Sequence, residues 1–166
     1  MIDLSYAKIG RGGTSKKFTQ STAAALKMTA VACPFFYPAE KVHTIAWNFP
    51  SRLPLGAGHC GTCHAGAEQI TPSDSQLRDF CNLGYASGCA HLPTERRADC
   101  LRFVIAQEQA GRIVLDYIFE REHAPVEHGR IEYDCESRTW PASLSDECAQ
   151  RQAECYLAVY LERRRR

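Results

Sequence analysis

The chain has no unbroken apolar run of 18 residues, so no membrane-spanning helix is expected. It also lacks a charge excess: 20 basic residues face 19 acidic ones, a formal net charge of +1. A global basic field is therefore missing, and nucleic acid is not expected as a partner. Lysine is absent after Lys41, and every later basic side chain is arginine. Methionine is scarce, with two copies, which leaves a haem no obvious methionine ligand. The first 20 residues show no apolar run after their lysines, so the secretory pattern is missing and a cytoplasmic location is expected. Gly10-Arg11-Gly12-Gly13-Thr14-Ser15 lacks the spacing of a phosphate-binding loop, and Lys16 comes after its hydroxyls. There is no internal repeat and no nucleophile–base set, so catalysis is not the first expectation.

What remains is an ordinary globular composition, 45% apolar and 23% charged over 166 residues, with nine cysteines. The length suits a single domain. Residues 1–27 are rich in Gly, Ser, Thr and Lys and read as a flexible arm, with Met28 a possible natural start. Residues 28–166 read as one domain. Its segment 33–93 is dense in Cys, Pro, Gly and His, a loop-rich lobe that needs something to hold it. Thr71-Pro72-Ser73-Asp74 is a helix N-terminus. It places Leu77, Phe80 and Cys81 on one face, and Gly84 suits a left-handed exit. Leu101, Phe103 and Ile105, then Ile113, Leu115, Tyr117 and Phe119, alternate as a hairpin around Ala110-Gly111. Residues 130–134 follow as a third strand, after a turn containing Pro125 and His128-Gly129. A last helix starts near Ser145-Asp146-Glu147 and buries Ala149, Ala153, Tyr156, Leu157 and Tyr160. Arg163 to Arg166 close it at the negative end of its dipole. The expected fold class is α+β: a small antiparallel sheet (hairpin plus third strand) with flanking helices and a cysteine lobe.

Nine is an odd number, so a closed disulfide framework leaves one thiol over. In a reducing compartment clustered cysteines point to metal. Two local readings compete. Cys60-Gly61-Thr62-Cys63-His64 has the spacing of covalent c-type haem attachment, with His64 as axial ligand. Alternatively Cys60 and Cys63 join Cys81 and Cys89 around one metal site. Zinc ribbons use two short knuckles, and the gap from Cys81 to Cys89 is not one. A [4Fe-4S] cube accepts ligands from scattered loops, so the irregular spacing tilts toward iron–sulfur over zinc. A cube spreads its ligand sulfurs roughly 6–7 Å apart, whereas one zinc draws them to about 4 Å.

Ala32-Cys33-Pro34-Phe35-Phe36, then Arg52-Leu53-Pro54-Leu55-Gly56, Gly61-Thr62-Cys63, Cys81-Asn82-Leu83-Gly84-Tyr85-Ala86, Cys89 and Leu92-Pro93 form a distinctive string. With Arg102-Phe103, His128 to Asp134, Trp140 and Ala153-Glu154-Cys155-Tyr156-Leu157, it resembles a family of uncharacterised bacterial four-cysteine proteins over roughly residues 32–163. That family has no known activity, so the resemblance implies a pattern and no function. It implies a thiol set of Cys33, Cys63, Cys81 and Cys89, and its pattern has no thiol at position 60. The leading expectation is a metal-binding protein with one [4Fe-4S] cluster on those four residues, in an electron-transfer or structural role with a redox or protein partner. Cys60 and His64 are alternative ligands. A zinc-stabilised interaction module and a mono-haem cytochrome are the alternatives. Cys100, Cys135, Cys148 and Cys155 read as buried fillers. His59 and His91 flank the thiols. His123 and His128, near Glu120, Glu122 and Glu127, read as a solvated hairpin end, and Arg96-Arg97 as a solvated face.

Overall fold

Alternation of side chains decides the larger half of the molecule. The computed structural model describes residues 31–166; the expected arm, the Met28 start and the Gly10–Ser15 string lie outside them. Strands β3 (Cys100–Gln109), β4 (Arg112–Arg121) and β5 (Ala124–Asp134) form an antiparallel sheet in the order β3-β4-β5. Leu101, Phe103, Ile113, Leu115, Phe119 and Ile131 are buried on one face. Ala110 and Gly111 turn the first hairpin with φ of 50° and 77°, the doubly left-handed turn that matches strand twist.

The second hairpin turns earlier than the sequence suggests. Glu122 and His123 take φ of 52° and 64°, and Arg121 pairs with Ala124. Pro125, His128 and Gly129 therefore lie inside β5 and not in a turn before it. The proline survives because β5 is an edge strand with a register shift beside it.

The long helix, α2 (Glu147–Arg164), is capped by Asp146, whose side chain accepts from Ala149 N. Its Ala149, Ala153 and Leu157 pack on the buried face of the sheet. Small residues at 149 and 153 let the helix approach closely.

The cysteine lobe holds a second sheet that its composition concealed. Strands β1 (Phe36–Lys41) and β2 (His59–Cys63) pair antiparallel, with Phe36 opposite Cys63. A short helix, α1 (Asp74–Gln76), runs on into a wide π turn over Leu77–Cys81. Its cap is Ser73 in a full capping box with Gln76, two residues later than the expected Thr71. Gly84 is not the left-handed exit; Tyr85 is, with φ of 57°. Gly84 is small for a different reason, because a Cβ there would meet Cys100 Cβ at 2.4 Å. Phe36, Ile45, Leu77 and Cys81 form the lobe's own small core. The lobe is tied to the large sheet through Ala32, which exchanges backbone hydrogen bonds with Leu101 at 2.7 and 2.9 Å. Among the described residues no helix is long and apolar enough to cross a membrane.

Candidate metal centre

Four chain segments each bring one cysteine to a common hollow. Cys33 sits in the turn before β1, where Phe36 N donates to its carbonyl at 3.2 Å. Cys63 ends β2. Cys81 closes the π turn, in the last turn of the short helix as its sequence implied. Cys89 lies in the following loop, its N–H donating to Ala86 O at 2.9 Å and its carbonyl accepting from Leu92 N at 3.2 Å. All four line one hollow with Phe35, Phe36, Phe80 and Leu92, and with exposed His91. The free space between them is about 20 Å³, room for one water-sized sphere. Any larger guest requires the ring of side chains to widen.

The surrounding backbone is held by side chains that sequence reasoning did not single out. Buried Asn82 takes His59 N on its Oδ1 (2.9 Å) and donates from Nδ2 to His59 O (3.0 Å) and Leu77 O (3.1 Å). One amide thus bolts the Cys81 turn to the strand that carries Cys63. From α2, fully buried Gln152 donates to Cys33 O (2.8 Å) and Phe36 O (2.7 Å). Arg151 beside it donates to Pro38 O and Ala39 O, both at 2.9 Å. The helix therefore fixes the turn of Cys33 and the course of β1. Gly61 is required in β2, since a Cβ there would lie 2.1 Å from Tyr37 O. The only advance sign of these roles was a polar side chain on the apolar stripe of a helix, at Gln152.

Burial dominates the chemistry of the thiols. It pushes Cys33 up to about 12, with Cys63 and Cys89 adding to the rise. It does the same to Cys81, where Cys33, Cys63 and Cys89 again contribute. Burial also raises Cys63, and Cys89 raises it further. Each of these thiols thus sits within electrostatic reach of its neighbours, and no lysine or arginine contributes to holding any of the three ionised. Left alone they are neutral, inert thiols. A cationic guest supplies the missing positive charge, because a coordinated thiol gives up its proton outright.

The haem-like pentapeptide is arranged differently. In a strand, residues three apart face opposite ways, so Cys60 points away from Cys63 and toward Glu40 O, at 3.5 Å. His64 stacks on Tyr37 at 5.3 Å and meets Thr62 Oγ1 at 2.9 Å, and it does not line the hollow. Neither alternative ligand joins the four thiols, and one porphyrin cannot take both Cys60 and Cys63 without undoing β2. Buried His59 donates within its own loop to Ala57 O, at 3.1 Å. Among the described residues no group of three or more His, Cys, Asp or Glu side chains could hold a metal ion as it stands.

Of the five cysteines outside the four-thiol set, Cys100 and Cys155 are buried in the large core or beside it. Cys148 is a surprise. Burial pushes it up to about 12, and Asp146, Cys33 and Cys63 all add, so it is a fifth thiol near the hollow. Nothing in its spacing announced this, because Cys148 lies 59 or more residues away in sequence from the four thiols. The arginines are absorbed by the fold. Arg96 pairs with Asp99 at 2.5 Å, Arg97 with Asp146 at 2.8 Å, Arg163 donates to Gly56 O at 2.9 Å, and Arg164 pairs with Glu108. His123 stacks on Tyr85 at 4.3 Å. Comparison with protein-family models, curated proteins and solved structures finds no match for the chain.

Proposed function

We propose that the protein binds metal through Cys33, Cys63, Cys81 and Cys89, and that the guest is one [4Fe-4S] cluster. The observation that carries this reading is the meeting of four thiols, from four separate segments, at one hollow walled by aromatic and aliphatic side chains. The donor chemistry fits, being all sulfur, with no carboxylate competing in the wall. The irregular spacing of the four thiols along the chain supports a cluster over zinc, and the hollow of about 20 Å³ must widen to take it. When bound, such a cluster accepts and returns one electron and cross-links its four ligand segments. Four thiolates leave no iron open to substrate, so the role is electron transfer to a protein partner or bracing of the lobe. The chain's own contribution is to keep water away with Phe35, Phe36, Phe80 and Leu92, and to fix the ligand turns through Asn82 and Gln152. All nine cysteines are free thiols, which supports a reducing compartment, and we assign the protein to the cytoplasm on that ground.

The test is purification without oxygen, followed by iron and sulfide analysis of the wild type, Cys81→Ser and Cys155→Ser. Wild type and Cys155→Ser should be brown, absorb near ~400 nm and carry about four iron and four sulfide per chain. Cys81→Ser should lose most of both. A colourless wild type with one zinc would replace the cluster by zinc, and a colourless metal-free wild type would overturn the proposal.

A further inference from the structure

A cleft beside the Cys81 turn is a separate feature, lined by Arg78, Asp79, Leu83 and Gly84 on that side. It encloses about 480 Å³, within the range of sites that bury a small molecule. Its wall is unusual for this surface. Phe49 is 64% exposed and Leu83 37%, two of only four large apolar side chains that the described surface leaves so open. Both line this cleft. A water-facing phenyl beside an exposed leucine buries little in the fold, and apolar side chains gathered around a concavity mark a place where something else is buried.

The aromatic groups are pre-positioned. The Trp47 indole lies against Gly58, where a Cβ would sit 2.0 Å from its ring, so only glycine permits that pose. The Tyr85 ring is fixed at both ends: its hydroxyl donates to Glu120 Oε2 at 2.8 Å, and its face stacks on His123 at 4.3 Å. Both residues hold left-handed backbone, with φ of 57° and 64°, a strained state for such side chains that tends to occur at binding sites. Rigid rings on the wall of one cleft favour a flat aromatic guest, because little side-chain entropy is lost when it stacks.

Charge selects further. The lining carries two guanidiniums and one carboxylate. Arg78 is engaged by Asp79 through bonds of 3.0 and 3.3 Å. Arg52 lies over the Phe49 ring at 5.5 Å, and no carboxylate among the described residues pairs with it. One uncommitted cation in an aromatic cleft matches one negative charge on the guest. We infer that this cleft binds a planar aromatic monoanion, an aryl carboxylate, stacked among Trp47, Phe49 and Tyr85 with its carboxylate on Arg52. The inference stands apart from the cluster reading, since none of the four proposed ligands lines the cleft.

The probes are 2-naphthoate and its neutral isostere 2-naphthamide, titrated calorimetrically into the full-length protein as purified. Naphthoate should bind at least about tenfold more tightly than the amide, as a charge-assisted hydrogen-bonded pair requires. Arg52→Gln should abolish that preference while leaving amide binding unchanged. Phe49→Ala should weaken both probes alike. Both positions are exposed, so far-UV circular dichroism should show both variants folded. Equal affinity for the two probes, a preference that survives Arg52→Gln, or no binding of either probe would each overturn the inference.

Discussion

At the scale of single residues, two buried polar groups do most to define the lobe. Asn82 makes three side-chain hydrogen bonds, two that join the Cys81 turn to His59 of β2 and one that closes the turn on Leu77 O. Truncation removes all three and strands the buried backbone N–H and carbonyl of His59, while Leu77 O keeps the Asn82 backbone N–H. Asn82→Ala should therefore lower stability by about 2–3 kcal/mol in urea unfolding, and a loss below about 0.5 kcal/mol, the range of neutral surface changes, would show that the bolt is dispensable. His59 gives a pH signature. Burial pulls its pKa down to about 4, and the nearby charges of Lys41 and Arg151 push the same way, against the Ala57 carbonyl that favours its proton. Above the unfolded value near 6.5 the ring is neutral in both states, and stability does not vary with this group. As pH falls below it, the unfolded chain takes up a proton that the folded chain refuses, so stability drops until about pH 4. By pH 5 the loss attributable to His59 should be about 2 kcal/mol. Urea titrations at pH 7.5 and 5.0 should show that difference in wild type and a much smaller one in His59→Gln. Equal slopes for the two proteins would remove His59 as the cause.

At the scale of elements, the decisive one is α2, because it serves both halves. Its alanine and leucine stripe packs on the large sheet, while Arg151 and Gln152 hold carbonyls of the lobe. Gln152→Leu keeps the volume and deletes both donors, leaving Cys33 O and Phe36 O without them. The expected effect is about 2–3 kcal/mol in stability, together with, on the proposed cluster reading, faster bleaching of its ~400 nm band in air, since the Cys33 turn loses its tether. Unchanged bleaching alongside lowered stability would mean that Gln152 serves the fold and not the ligand turn. The elements also show what a sequence can announce. The first hairpin and α2 were legible because Leu101, Phe103 and Ile105, then Ile113, Leu115, Tyr117 and Phe119, keep a period of two, and Ala149, Ala153 and Leu157 a helical one. The β1–β2 pair was not, because Pro38 and Gly61 read as breakers, and only the pairing explains them: Gly61 must let Tyr37 O approach. The second turn was misread for the opposite reason. Glu122-His123 carries none of the usual left-handed residues, whereas Pro125 and Gly129 look like turn formers and are strand residues on an edge. In the site, the four thiols were gathered through a resemblance. The Asn82 and Gln152 clamps and the approach of Cys148 depend on tertiary contacts that no local pattern encodes.

At the scale of the whole molecule, the two halves are unequally equipped to stand alone. The core built around the sheet and α2 has thirteen buried residues, to which Ala32, Ala98 and the lobe's own Leu55 contribute. The lobe's separate core has four: Phe36, Ile45, Leu77 and Cys81. Burial of so few apolar side chains does not offset the ordering of some 60 residues of loop and short strand at about 1–2 kcal/mol each. The lobe is therefore held by its attachments: the Ala32–Leu101 bridge, the Asn82 bolt, the α2 side chains and, on the proposed reading, a guest that ties four segments together. A cross-link of that kind acts on opening reactions within the lobe and leaves the sheet untouched. Hydrogen exchange read by mass spectrometry should show this directly. Between protein isolated without oxygen and the same protein after oxidative stripping and chelation, peptides covering 33–41, 59–64 and 74–92 should exchange at least about tenfold faster in the stripped form. Peptides from β3, β4 and the middle of α2 should keep their protection in both. Uniform change across the chain would mean that the halves unfold as one unit. No change in the lobe would mean that the Asn82 and α2 attachments hold it without a guest, and that the four thiols are fillers of an ordinary small core.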